Sequence, residues 1–173
     1  MRASSTIGFA LVVCALVGTA PPPKAPQVFP VKLDRVEDGD TVWVRVKLRL
    51  ANIDTPEFAH ASFGRVWGEQ PFAREAKEAL EKKLAAGDVA IRIVGYDGKD
   101  KRPVAEIFSG TTNLNRWLVR QGYAWEYTSF SHDAALAELQ AEAKRNGRGL
   151  WGAKHPIEPE EWRRGSHHQG EAK

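Results

Sequence analysis

Residues 38–57 read DGDTVWVRVKLRLANIDTPE. The stretch opens on Asp38-Gly39, a turn signal. It then alternates. Val42, Val44, Val46, Leu48 and Leu50 fall on one side of an extended chain, and Trp43, Arg45, Lys47 and Arg49 fall on the other. Successive side chains of a strand leave opposite faces of the pleat, so period-two alternation predicts a strand. Thr41 to Ile53 is long for a single strand. A bend or tight hairpin is therefore expected near Val46-Lys47. The stretch closes on Asp54-Thr55-Pro56-Glu57, where Pro56 keeps Thr55 out of the α region.

The same residues carry chemistry. Asp40, Asp54 and Glu57 put three carboxylates and Arg49 one guanidinium into a short, strand-rich segment. Clustered carboxylates repel one another unless a cation sits among them. Oxygen-ligated cations take such groups, and a planar guanidinium fork suits phosphate oxygens. That combination is what hydrolysis of a phosphodiester requires. Taken singly, each residue also has a plain reading. Asp38-Gly39-Asp40 is a turn, Glu57 opens a loop, and Arg49 shares a strand face with Arg45 and Lys47.

Outside this core, Val28 to Val36 reads as a strand. Glu69 to Ala86 is a helix with the stripe Phe72, Ala73, Ala76, Leu80 and Leu84, ended by Gly87. Strands are expected at Val89 to Val94 and Val104 to Phe108 around a charged turn, Tyr96 to Lys101. A helix follows at Asn113 to Gln121 behind a Thr/Asn cap. A third runs from a Ser131 cap to Asn146, with Ala135, Leu136, Leu139 and Ala143 on one side. Residues 153–173 read as a polar tail, expected to be disordered past Glu158. Five strands without βαβ alternation predict an α+β fold: a five-stranded antiparallel Greek-key β-barrel (OB-fold) with three α-helices.

Composition fits one soluble domain. Of 173 residues, 42% are hydrophobic and 27% charged, and the net charge of +3 suits either a polyanionic ligand or an ordinary lysine-rich surface. Residues 1–20 follow a secretory signal pattern: Met1-Arg2, then an apolar run from Thr6 to Ala20. Residues 21–27 read as a Pro-rich linker. Export to the periplasm or medium is the expectation, with a membrane anchor at residues 6–20 as the alternative. Cys14 is the only cysteine and lies within that run, which excludes a cysteine nucleophile or a Cys-ligated zinc downstream. The five histidines are scattered and form no ligand pattern.

The order strand, Asp38-Gly39-Asp40-Thr41, strand, Arg49, Asp54-Thr55-Pro56-Glu57 resembles the staphylococcal nuclease (thermonuclease) family. Arg102-Pro103-Val104-Ala105, Leu118 to Ala124 (LVRQGYA) and Ala141 to Trp151 (AEAKRNGRGLW) extend the resemblance over residues 28–152. It implies a calcium-dependent nuclease on an oligonucleotide-binding barrel, cutting DNA and RNA to 3′-phosphate products as a monomer. It implies Asp40, Asp54 and the Thr55 carbonyl as Ca2+ ligands and Glu57 as general base. Arg49 and Arg102 would hold phosphate oxygens, and Tyr127, Phe130 and Lys99 would contact substrate. The chain departs from the family in having Asp100-Lys101, not Tyr-Gly, before Arg102. Its aromatics near Tyr127 are also shifted by one position. Two other readings stay open: a catalytically inactive nucleic-acid-binding barrel, and an extracytoplasmic partner-binding domain. A degenerate module is expected to have lost a member of the set Asp40, Arg49, Asp54 and Glu57, and all are present.

Overall fold

The computed structural model describes residues 32–62, 65–98, 101–129 and 133–165. The first element is a hairpin of β1 (Lys32–Val36) and β2 (Val42–Arg45), antiparallel, with Val36 opposite Val42 and Lys32 opposite Arg45. Its turn is closed by the Glu37 N–H donating to the Thr41 carbonyl at 2.9 Å. Cross-strand contacts reinforce it: the Arg35 guanidinium lies 4.3 Å from the Trp43 ring centre, and Arg45 pairs with Asp34. The hairpin pairs with no other described strand, and both its faces are exposed, Val42 and Val44 included. The alternation thus builds a strand here without burying one of its sides.

The expected bend is present. Residues 46–48 leave the strand, β3 (Arg49–Leu50) resumes, and Ala51-Asn52 turns into β4 (Ile53–Asp54). Asn52 has φ 59, a left-handed conformation that asparagine tolerates better than most residues. The segment expected as a loop up to Gly68 holds a further hairpin, β5 (His60–Ser62) with β6 (Arg65–Trp67). Helix α1 (Ala73–Leu84) starts later than its apolar stripe predicts. The Gln70-Pro71 turn and a left-handed Phe72 precede it, so Ala73 and Ala76 face inward.

Strands β7 (Val89–Asp97) and β8 (Arg102–Ser109) form the longest ladder, antiparallel, with an irregularity between Ile93 and Gly95. Short β9 (Thr112–Asn113) pairs with β8, and α2 (Leu114–Arg120) begins at once. The Asn113 side chain caps α2 by accepting from the Arg116 N–H. Buried Asn115 ties three segments together. Its Oδ1 accepts from Ile107 N–H at 3.1 Å, and its Nδ2 donates to the carbonyls of Ala51 and Ala105. After β10 (Trp125–Glu126), α3 (Ala134–Arg145) is capped by Asp133, not by Ser131, which lies outside the described residues.

The core is Ile53, Leu118, Val119, Ala124 and Leu136, with Leu50, Leu80, Trp117, Tyr123 and Leu139 packed around it. It therefore joins α2 and α3 to the β3–β4 segment. Past a short 3-10 turn (Gly149–Gly152), the tail expected to lack structure forms α4 (Pro159–Arg164). Pro159 supplies a preset first-turn φ, Gly165 ends the helix left-handed, and buried Trp162 anchors it.

The α+β class holds. The arrangement differs from the expected barrel in three respects: the described residues form four α-helices, β3 runs parallel to β8, and the described strands form separate small sheets, not a closed five-stranded barrel. The alternating stretch 41–53 is split by the break at residues 46–48 and by Asn52, so no single long strand is available to wrap the sheet.

Candidate active site

Asp54 ends β4, which β10 holds in antiparallel register with Trp125 opposite Asp54. Its carboxylate is nearly buried. Thr55 follows at intermediate exposure, and buried Pro56 leads into Glu57. The Glu57 backbone is clamped by one residue. Gln70 accepts from the Glu57 N–H through Oε1 at 3.0 Å, and its own N–H donates to the Glu57 carbonyl at 2.8 Å. Gln70 is only 2% exposed, so these bonds face little competition from water. Its Nε2 also donates to the Ile157 carbonyl at 2.7 Å. One buried amide thus fixes Glu57 and the approach to α4 together.

The carboxylates of Asp54 and Glu57 converge on one cation, the Arg163 guanidinium. Arg163 Nη2 donates to Asp54 Oδ2 at 2.6 Å, and Nη1 reaches Asp54 Oδ1 at 3.3 Å and Glu57 Oε1 at 2.5 Å. Burial works against the charge on Arg163. The hydrogen bond and charge of Asp54, then those of Glu57, outweigh it and hold its pKa above the ordinary arginine value.

The two expected phosphate-binding arginines form a second cluster. Parallel pairing sets Arg49 opposite Val104, and antiparallel pairing sets Asp97 opposite Arg102. Arg102 and Val104 share a face of β8, so Arg49, Asp97 and Arg102 project to one side. Arg102 Nε donates to Asp97 Oδ2 at 3.1 Å, and Nη2 pairs with the same oxygen. The Asp97 carboxyl is held below its usual range, first by the Arg102 hydrogen bond, then by the charges of Arg102 and Arg49. The Arg49 guanidinium lies 5.0 Å from the Tyr127 ring centre, and the Tyr127 N–H donates to the Asn52 carbonyl at 2.9 Å. Tyr127 is thereby fixed at the turn between Arg49 and Asp54.

Asp40 stands apart from both clusters. It sits in the exposed β1–β2 turn, where its N–H donates to Asp38 Oδ1 at 3.3 Å and its own Oδ1 accepts from the Thr41 hydroxyl at 3.2 Å. Hydrogen bonds from the Thr41 side chain and the Asp40 backbone hold the Asp38 carboxyl below its usual range. No group of three or more His, Cys, Asp or Glu side chains is gathered for a metal among the described residues. Lys99 and Phe130 lie outside those residues. The structure therefore unites Asp54 with Glu57, and Arg49 with Arg102 and Tyr127, but does not bring Asp40 to either.

The donor chemistry at Asp54 and Glu57 suits a hard cation. Two carboxylates and the Thr55 carbonyl are all oxygen donors, and Arg163 already shows that the pair collects positive charge. Calcium takes six to eight oxygens, so Asp40 or waters would have to complete the shell. Three residues of the site escape a reading of the sequence: Gln70, Asp97 and Arg163. Asp97 had a usable signal, because it flanks the same charged turn as Arg102. Gln70 had none, and Arg163 had only the buried-type Trp162 beside it in a charged run.

Comparison with known proteins gives a consistent result. The model of the family described as "Staphylococcal nuclease homologue" matches residues 47–153, more than half of the chain. An "Uncharacterized endonuclease" of Haemophilus influenzae is 33% identical over 136 residues, covering 75% of this chain and 70% of that protein. Another of Escherichia coli O157:H7 is 34% identical over 137 residues, covering 75% of this chain and 81% of its own length. A "Probable staphylococcal-like nuclease CAN1" of Oryza sativa subsp. japonica is 31% identical over 120 residues, 69% of this chain but only 33% of the plant protein.

Proposed function

The chain belongs to the staphylococcal nuclease homologue family, and on that premise we propose that it is an exported, calcium-dependent nuclease hydrolysing phosphodiester bonds of DNA and RNA to 3′-phosphate products. One observation carries the reading: Asp54 and Glu57, both within the matched segment that also holds the Arg49–Asp97–Arg102 cluster, converge on one positive group, the Arg163 guanidinium.

Glu57 is the general base. Its backbone is fixed on both sides by Gln70, so its carboxylate swings from a set pivot to take a proton from the attacking water. Arg49 and Arg102 bind the equatorial oxygens of the phosphate, where charge gathers as the bond to the leaving oxygen breaks. Asp97 keeps Arg102 aimed while substrate is away and gives it up to the phosphate. Tyr127 offers its ring beside Arg49 as a surface for a base or sugar. Asp54, the Thr55 carbonyl and Asp40 would hold calcium, which would neutralise the phosphate and acidify the water. For Asp40 to take part, the β1–β2 hairpin must close toward β4. The exposed apolar residues of the hairpin and of β7, such as Val44 and Ile91, favour such a closure into a barrel. Export through residues 1–20 and action as a monomer complete the proposal.

A specific observation favours a second reading, a binding module without catalysis: Glu57 and Arg102 are both engaged in ion pairs. One assay separates the two. Single-stranded DNA is incubated with the full chain, with calcium or with a chelator, beside Glu57→Gln. Cleavage should require calcium and fall about 10²–10⁴-fold in Glu57→Gln. Binding without calcium-dependent cleavage would establish the module instead.

A further inference from the structure

We propose that Arg163 is a tethered competitor for the divalent cation: the C-terminal helix holds a guanidinium on Asp54 and Glu57, and metal binding must displace it. The inference rests on the nuclease reading and adds a control that lies outside the residues of that reading.

The contact is built, not incidental. Helix α4 is seated by buried Pro159 and Trp162, by the Gln70 Nε2 bond to the Ile157 carbonyl, and by the Ser129 hydroxyl donating to Glu160 at 2.9 Å. The side chain of Arg163 is about two-thirds shielded from solvent, and that of Asp54 nearly nine-tenths. Its neighbour Arg164 is turned away, exposed, and paired with Glu160 one helical turn back. Of two adjacent arginines, one alone addresses the carboxylates.

The fork occupies the groups a cation needs. It takes both oxygens of Asp54 and one of Glu57. An arginine stays charged at any accessible pH. Loss of its own proton cannot release it. While Asp54 and Glu57 are ionised, a second cation on the carboxylates, or an anion on the guanidinium, can do so. One guanidinium also leaves the two carboxylates one charge short of neutrality, a deficit that a divalent ion removes. Glu57 need not shift when the arginine leaves, because Gln70 holds its backbone independently.

If the metal-free site is mostly closed in this way, the apparent calcium affinity is the intrinsic affinity reduced by the small open fraction. Calcium binding is measured by titration calorimetry on the full chain, with thermal melting in parallel. Arg163→Gln should bind calcium about 5–30-fold more tightly than the parent, the range that a partly buried ion pair spans. Arg164→Gln should bind as the parent does. In melting, Arg163→Gln should be less stable than the parent without calcium and gain more from its addition. Arg163→Lys keeps the charge but loses the fork, so it should gain affinity by a smaller factor, and it decides the matter if Arg163→Gln fails to fold. Equal or weaker calcium binding by the folded Arg163 variants would overturn the competition and leave the nuclease reading standing. No calcium binding by parent or variants at millimolar calcium would overturn both.

Discussion

Replacing Gln70 tests whether one buried amide supports both Glu57 and the C-terminal helix. The side chain makes two hydrogen bonds, to the Glu57 N–H at 3.0 Å and to the Ile157 carbonyl at 2.7 Å, and is 2% exposed. Gln70→Met keeps most of the volume and loses both bonds. At about 1 kcal/mol for each net bond, the cost is about 2 kcal/mol, since the orphaned groups lie where water reaches them only in part. Gln70→Ala adds a small cavity and lost packing, bringing the total to about 3 kcal/mol. At 2–4 °C per kcal/mol for a domain of this size, the midpoint should fall by roughly 6–12 °C for the alanine variant. Urea unfolding followed by tryptophan fluorescence measures this directly, since the chain has six tryptophans. Hydrogen exchange adds a regional readout: amides of residues 159–164 should lose more protection than those of α2. A loss under about 0.5 kcal/mol, or protection falling equally in α2 and α4, would refute the claim that Gln70 is a local tie.

Asp97 should register in the acid limb of stability. Its pKa is depressed in the folded state, so the stabilisation it contributes is present above the unfolded value near 3.9 and is lost as pH falls through the lower folded value. The parent should therefore lose stability below about pH 4 more steeply than Asp97→Asn, and parallel melting-point curves would show that the pair with Arg102 contributes nothing. Gly149 has φ +52, and a Cβ there would stand 2.3 Å from the Gly122 carbonyl oxygen, whereas Gly147 has φ +58 with nothing within 4 Å. Gly149→Ala should cost about 3 kcal/mol and Gly147→Ala about 1 kcal/mol. Equal losses in thermal unfolding would remove the close approach of residues 122 and 149 as the cause.

Much of the fold was legible where local pattern decides it. The apolar stripes of α1 and α3, the Asn113 cap of α2 and the β7–β8 pair follow from periodicity and capping within a few residues. The bend inside residues 41–53 was legible from length alone, although nothing in Val46-Lys47-Leu48 marks it. Less legible were the features set by distant partners. The parallel pairing of β3 with β8 joins segments some fifty residues apart, and Asn115 secures it by binding the Ala51 carbonyl. Strands of two residues, such as β4 and β10, exist only through each other and carry no pattern of their own. Between β5 and β6 the sequence has Phe63-Gly64, not one of the Asn-Gly or Asp-Gly pairs that announce a two-residue hairpin.

The candidate site divides along the same line, and the division has a physical basis. Asp54, Glu57 and Arg49 stood out because their residue types and spacing answer a chemical need, and Arg102 because the chain resembles a family that keeps an arginine there. The groups that govern them did not, because each acts across the chain: Asp97 on Arg49, Gln70 on Glu57, and Arg163 on Asp54 from 109 positions away. A carboxylate cluster on its own demands a cation, and a reading confined to residues 38–57 assigns that place to a metal. The folded chain supplies an arginine as well. On the calcium reading, two cations of different valence would compete for one pair of carboxylates, and their exchange would be an equilibrium that the tail sequence can tune. Loosening the seat of α4 by trimming Trp162, which leaves the Gln70 clamp on Glu57 intact, should therefore raise calcium affinity in the same direction as removing Arg163 itself. If such variants loosen α4 in hydrogen exchange yet leave calcium affinity at the parent value, the helix is a structural brace, and the arginine has no part in admitting the metal.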